Sequence, residues 1–148
     1  MERILEAARQ APSAGNLQAY TVIVVRNPAL RARLDAVTGG QGPVAQAPVV
    51  LVFCADPKRS AVRYGARGEQ LFCIQDATIA CAYAQLAATA LGLGSVWIGA
   101  VHEPEVVNEA LHLATDVWPV ALLPIGHGAE TPDRKARRPL TELARIRA

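Results

Sequence analysis

Short β-branched runs alternate with longer stretches of helical spacing along the 148 residues, and each element can be placed by where its run stops. Ile4 to Arg9 predicts a short helix that ends near Pro12, because a proline pushes the residue before it out of the helical region. A small polar loop, Ser13-Ala14-Gly15-Asn16, follows. Thr21 to Val25 is β-branched and predicts a central strand. Asn27-Pro28 reads as an N-cap with proline in the first turn, opening a helix over Ala29 to Val37. Residues 39–48 predict a loop, and Val49 to Phe53 a second buried strand.

The second half is less regular. Asp56 to Glu69 is polar and basic, with Lys58, Arg59, Arg63 and Arg67, and predicts an exposed loop or short helix. Gln70 to Leu91 has no helix breaker, which gives a helix of about 30 Å. Apart from Gln75, Asp76 and Gln85 it is small or apolar on every side. A helix without a wet face is buried all round, and so short a chain leaves part of that work to a partner subunit. Gly92-Leu93-Gly94 ends it, Ser95 to Ile98 predicts a third strand, and His102-Glu103-Pro104 opens a helix to about Leu113. Val117 to Ile125 predicts a fourth strand, whose Pro119 and Pro124 favour an edge or a strand end. Strands alternating with helices imply one α/β or α+β domain in three layers over residues 1–148.

Composition narrows the class. The chain is 51% hydrophobic and 19% charged, which excludes intrinsic disorder. Fifteen basic against thirteen acidic residues leave a net charge of +2, too balanced for a protein built around nucleic acid. Cys54, Cys73 and Cys81 are odd in number, lie among apolar neighbours and lack zinc spacing. They predict reduced core thiols in a cytoplasmic protein. The N-terminus has no long apolar run of the signal-peptide kind. Ala77 to Val101 is uncharged and long enough to span a bilayer. Its alanines, Thr78, Gln85 and Thr89, with breaks at Gly92, Gly94 and Gly99, predict a soluble helix running into a strand and no membrane partner.

Several tempting patterns fail on chemical grounds. Gly92-x-Gly94 leaves a helix and enters a strand, the reverse of the order that puts a pyrophosphate on a helix N-terminus. His102, His112 and His127 share no ligand spacing, so no metal site is expected. Ser13 has no nucleophile elbow around it, and no catalytic residue is assigned. Two segments remain. In Pro12-Ser13-Ala14-Gly15-Asn16-Leu17-Gln18 a hydroxyl and two amides can bond the edge of a flat heteroaromatic ring without bringing charge, although a plain capping loop has the same composition. Lys135, Arg137 and Arg138, with Arg134, form a cationic cluster suited to a phosphate monoester or, equally, a solvated basic tail.

Taken in order, four segments resemble the nitroreductase family of FMN-dependent NAD(P)H oxidoreductases. They are Ala7-Ala-Arg-Gln-Ala-Pro-Ser-Ala-Gly-Asn-Leu-Gln18, Gln75-Asp76, Ala90-Leu-Gly-Leu-Gly-Ser-Val-Trp-Ile-Gly99, and Leu123-Pro-Ile-Gly126 with Lys135-Ala-Arg137-Arg-Pro139-Leu. The resemblance covers nearly the whole chain. It implies a mixed central sheet flanked by helices and a homodimer with two flavins at the subunit interface. It also implies that Pro12, Ser13, Ala14 and Asn16 contact FMN held mainly by the other subunit, with Gln18 near the ring or the dimer contact. Trp97, Ile98, Gly99 and Ala100 would pass beside the isoalloxazine, and Lys135 and Arg137 would hold the phosphate.

The implied activity is hydride transfer from NADH or NADPH to nitroaromatics, quinones or similar small aromatic acceptors by a ping-pong mechanism. The family's arginine- and serine-rich segment before the first helix has no counterpart ahead of Met1-Glu2-Arg3. Two lost charge-assisted contacts, each about 1.5–3 kcal/mol, predict flavin affinity lower by about a hundredfold or more unless Arg63, Arg67 or Arg138 substitutes for them. The alternative function is a non-catalytic dimer of the same fold that binds flavin or another nucleotide. A nucleic-acid-binding role rests on the tail alone and lacks interleaved aromatics.

Overall fold

The computed structural model describes residues 1–133 and 135–147. Its core is set by period-two alternation in one strand, β2 (Val49–Ala55). Successive strand side chains point to opposite faces of a sheet. Leu51 and Phe53 pack on one face with Ala121, Leu123 and Ile125. Val50, Val52 and Cys54 pack on the other with Leu122. Helices α1 (Glu2–Arg9) and α5 (Cys73–Ala90) cover the first face through Ile4, Ala8, Ala80, Cys81, Ala84 and Ala88. The second face is covered by α2 (Pro28–Val37), the one-turn α3 (Pro43–Gln46) and α6 (Pro104–Ala110), through Leu34, Val44 and Val107. The result is the expected three-layer α+β domain.

The sheet order is β1-β2-β4-β3, with β1 Tyr20–Val25, β3 Gly94–Ser95 and β4 Trp118–Gly126. Every pairing among these strands is antiparallel, so the sheet in this chain is not the mixed one expected. Two strand positions also differ. Thr21–Val25 lies in an edge strand rather than a central one, and its β-branching serves one neighbour only. The proline-bearing β4 is interior, between β2 and β3. The reason lies in where Pro124 falls. Gly94 pairs with Gly126, Ser95 with Ile125 and Ile98 with Leu122, a register that brings Val96 opposite Pro124. Proline has no N–H to give. The ladder breaks there, and the expected strand 95–98 is reduced to two residues and an isolated bridge at Ile98.

Four helical boundaries also depart from expectation. Residues 56–69 are mostly helix α4 (Pro57–Arg67), started by the Asp56 carboxylate accepting the Arg59 N–H at 2.9 Å. The helix expected from Gln70 begins at Cys73, after a π turn over Gly68–Phe72. The loop 39–48 contains α3, and the helix after His102 spans only 104–110. By length and composition the run 57–90 is able to cross a membrane. It is broken at Gly65 (φ 52°, ψ −143°), and the alanine face of α5 packs on the sheet with no exposure. The opposite side of α5 is not covered by this chain: Leu86 is 69% exposed and Tyr83 40%. Within one copy the helix is therefore buried on one side, not all round.

All three thiols are free and buried, and burial pushes Cys54 and Cys81 up to about 12. The Asn27 side chain accepts the N–H groups of Ala29 and Leu30 at 2.9 and 3.1 Å, satisfying two donors that the first turn leaves open. Asn27→Ala lowers stability by about 1 kcal/mol, read as an earlier urea midpoint at unchanged slope.

Candidate functional site

The loop 12–18 owes its shape to a carboxylate on another layer. Asp76, on the first turn of α5, is 1% exposed. Its Oδ1 accepts the Ala14 N–H at 2.9 Å and its Oδ2 the Ala19 N–H at 3.3 Å, so one side chain clamps both ends of the loop. Between them the chain turns through the left-handed region at Gly15 (φ 55°), Asn16 (φ 57°) and Gln18 (φ 50°). Ser13 Oγ accepts the Gln18 N–H at 3.0 Å, which closes the turn and leaves the hydroxyl proton free to donate. Asn16 and Gln18 are exposed. Pro12, Ser13 and Ala14 share a cleft of about 480 Å³ with Ile74, Gln75, Thr78 and Ile79 of α5.

Helix α4 lies directly against this loop. Arg59 Nε donates to the Leu17 carbonyl. A Cβ at Gly15 would stand 2.5 Å from the Tyr64 hydroxyl and 2.8 Å from Arg63 Nη1. The positive φ favours glycine at this position, and a side chain there would also displace the ends of Tyr64 and Arg63. Tyr64 is itself braced edge-on against Phe72, with ring centroids 5.1 Å apart. The sequence carried a signal for this helix in the Asp56-Pro57 start and the four-residue spacing of Arg59 and Arg63. An exposed basic helix with two glycines near its end shows no apolar period, and for that reason it read as either an exposed loop or a short helix.

Trp97 to Ala100 leaves the sheet gradually. Ile98 exchanges both backbone hydrogen bonds with Leu122, at 3.0 and 2.9 Å. Trp97 packs with the α1/α5 layer and Ile98 with the opposite one, while Gly99 and Ala100 are exposed. Gly99 opens on a second cleft, of about 620 Å³, with Val101, Pro104, Asn108 and Trp118. Beside this segment is a turn that the sequence reading passed over as plain loop. Gly39, Gly40 and Gly42 have φ of 95°, 61° and 97°. The buried Asp35 carboxylate accepts N–H groups from Gly42, Val44 and Ala45. The His102 N–H donates to Val37 O at 3.1 Å, tying this turn to the 97–102 segment.

The expected site residues do not converge within one chain. Pro12, Ser13 and Ala14 face the α5 cleft, Gln18 a third cleft with Tyr20 and Arg59, and Gly99 the α6 cleft. Lys135 and Arg137 are exposed on the tail and make no side-chain hydrogen bond or ion pair among the described residues. Arg134 lies outside the described residues.

Comparison with known proteins agrees with this fold. The sequence matches the family model described as "Nitroreductase family" over residues 1–44 and 35–127. It is 37% identical to the NAD(P)H FMN reductase of Bacillus subtilis, over 94% of this chain and 61% of that protein. It is 38% identical to the oxygen-insensitive NADPH nitroreductase of Salmonella typhimurium, over 93% of this chain and 60% of that one. The fold superposes with a TM-score of 0.88 on a solved hypothetical oxidoreductase of Bacillus subtilis, at 36% identity over 97% of this chain and 62% of that one. The chain therefore spans about three-fifths of the length of these relatives. By its sequence match and its three-layer architecture, the chain belongs to the nitroreductase family.

Proposed function

We propose that residues 1–148 form a single FMN-binding domain that acts as a homodimeric NAD(P)H oxidoreductase on nitroaromatics, quinones or similar small acceptors. The observation that carries this is the placement of the Asp76-clamped loop against the uncovered apolar side of α5. That placement puts neutral donors at the rim of a surface suited to a second copy. It also explains why residues 12–18, 97–100 and 135–137 lie apart in one chain: two copies are needed to complete the site.

The donor set suits FMN. Ser13, Asn16 and Gln18 bring a hydroxyl and two amides without charge, as a flat heteroaromatic edge requires. Gly99 and Ala100 present exposed backbone beside Trp97 for close approach of the ring, and Lys135 and Arg137 are suited to the phosphate. Bound there, FMN would supply the hydride-transfer chemistry that links NAD(P)H to the acceptor. The protein's part is to orient. Asp76 fixes the loop, Ser13 is spent on the turn and keeps one donor, and the uncharged lining leaves the ring's electronic character to the cofactor. Buried, unreactive thiols suit a cytoplasmic setting.

Arg137→Ala tests the phosphate assignment. FMN affinity falls by about 1.5–3 kcal/mol while riboflavin affinity stays level, because only FMN carries the dianion. Equal losses for both flavins remove the tail from the site. The activity itself is read by anaerobic bleaching of the flavin absorbance with NADH or NADPH and its return with a quinone. FMN-loaded protein that neither nucleotide bleaches is the non-catalytic binding protein instead.

A further inference from the structure

Helix α4 carries three guanidinium groups, Arg59, Arg63 and Arg67, all exposed. The ion pairs among the described residues join Arg9 to Glu6, Arg33 to Glu109 and Lys58 to Asp116, and none involves these three. Arg59 and Arg63 are one turn apart and so share a face. That face meets the 12–18 loop: Arg59 donates to Leu17 O, and Arg63 stands over Gly15 beside the Tyr64 hydroxyl. The Arg63 guanidinium carbon is 5.5 Å from the Tyr64 ring centroid, a contact that restrains its position. Arg67 follows the break at Gly65 and lies over Phe72 instead, 5.9 Å from its centroid. Two cations stacked four residues apart repel one another, and that arrangement is relieved by an anion between them. Arg59 also lines a cleft of about 430 Å³ with Arg9, Gln18, Tyr20, Thr21 and Asp56, within the usual range for small-ligand pockets; Arg63 and Tyr64 stand outside it, beyond Arg59.

We propose that Arg59, Arg63 and the Tyr64 hydroxyl bind a phosphomonoester dianion, and that its source is the 2′-phosphate of NADPH, so that this chain selects NADPH over NADH. The proposal rests on the oxidoreductase assignment above. A dianion matches two guanidinium groups and a hydroxyl donor, whereas the corresponding ribose hydroxyl of NADH leaves both cations without a counter-charge. The pyrophosphate, common to both nucleotides, gives no discrimination. The other phosphomonoester at hand is that of FMN, already matched by Lys135 and Arg137 on a separate element.

Calorimetric titration of the full FMN-loaded chain with 2′,5′-ADP and with 5′-AMP tests the site without any turnover. The expected result is at least tenfold tighter binding of 2′,5′-ADP, lost in Arg63→Ala and partly restored in Arg63→Lys. Arg63 is exposed, and an unchanged melting temperature shows that the variant folds. In turnover, Arg63→Ala lowers kcat/KM for NADPH about tenfold or more relative to kcat/KM for NADH. Equal binding of the two probes by the wild-type chain overturns the proposal. So does an Arg63→Ala variant that loses FMN affinity but keeps its 2′,5′-ADP preference, which assigns the phosphate to the flavin. A chain that keeps the preference but oxidises neither nucleotide sustains the site and rejects the oxidoreductase assignment alone.

Discussion

Asp76→Asn lowers the melting temperature by about 5–10 °C and, on the proposed assignment of the 12–18 loop, lowers flavin occupancy, although the substituted residue touches solvent with only 1% of its surface. The carboxylate accepts two backbone N–H groups, at 2.9 and 3.3 Å, from Ala14 and Ala19. An amide of the same shape offers one acceptor oxygen and turns an NH₂ group toward the other donor. One charge-assisted bond is lost and a buried N–H is left facing another, a cost of about 2–3 kcal/mol. In a domain of this size each kcal/mol moves the melting temperature by about 2–4 °C. Gln75, next along α5 and exposed, serves as the control, and Gln75→Ala leaves stability within about 0.5 kcal/mol. Loss of FMN absorbance in Asp76→Asn at temperatures where the far-ultraviolet spectrum is intact separates loop release from global unfolding. Full flavin retention at those temperatures removes the clamp from the binding site.

Leu86→Arg converts the protein to a species near 15.7 kDa by light scattering, if the uncovered side of α5 is the subunit contact. Leu86 is 69% exposed, with Tyr83 and Leu91 at 40% and 41% on the same helix or its end. An unpaired charge buried there costs about 3–5 kcal/mol, and a two-fold contact carries the change on both copies. Flavin affinity falls with dimer affinity because the 12–18 loop borders that surface. A variant that stays dimeric places the interface elsewhere.

Much of the fold was legible because its determinants are local. The β-branched run at 49–53, the Asn27 cap and the breaker-free stretch before Gly92 each carry their own signal, and together they dictate three layers. Edge and interior were not legible from runs alone. Thr21–Val25 and Val117–Ile125 look alike as strands, and only the register that sets Pro124 opposite Val96 explains how an interior strand accommodates a proline. Helix α4 was left open between loop and short helix because helical periodicity is read from apolar positions, and this helix shows arginines. Of the candidate site, the segments 12–18 and 134–139 were legible as chemistry, and 97–100 only through the family resemblance. The role of Asp76 was not, because a carboxylate that accepts two amides from a distant loop has the same local sequence as one that faces water.

The span of that clamp also sets an order of assembly. Ala14 and Asp76 are separated by 62 positions, and Ala19 and Asp76 by 57. During synthesis the loop leaves the ribosome well before the residue that shapes it. Until α5 has docked on the sheet, Gly15, Asn16 and Gln18 lack the Asp76 clamp that helps hold them in the left-handed region, which is unfavourable for non-glycine residues. Contacts of such long sequence separation form only after the entropy of closing the intervening chain has been spent. The 12–18 loop is therefore among the last parts of the fold to acquire its shape.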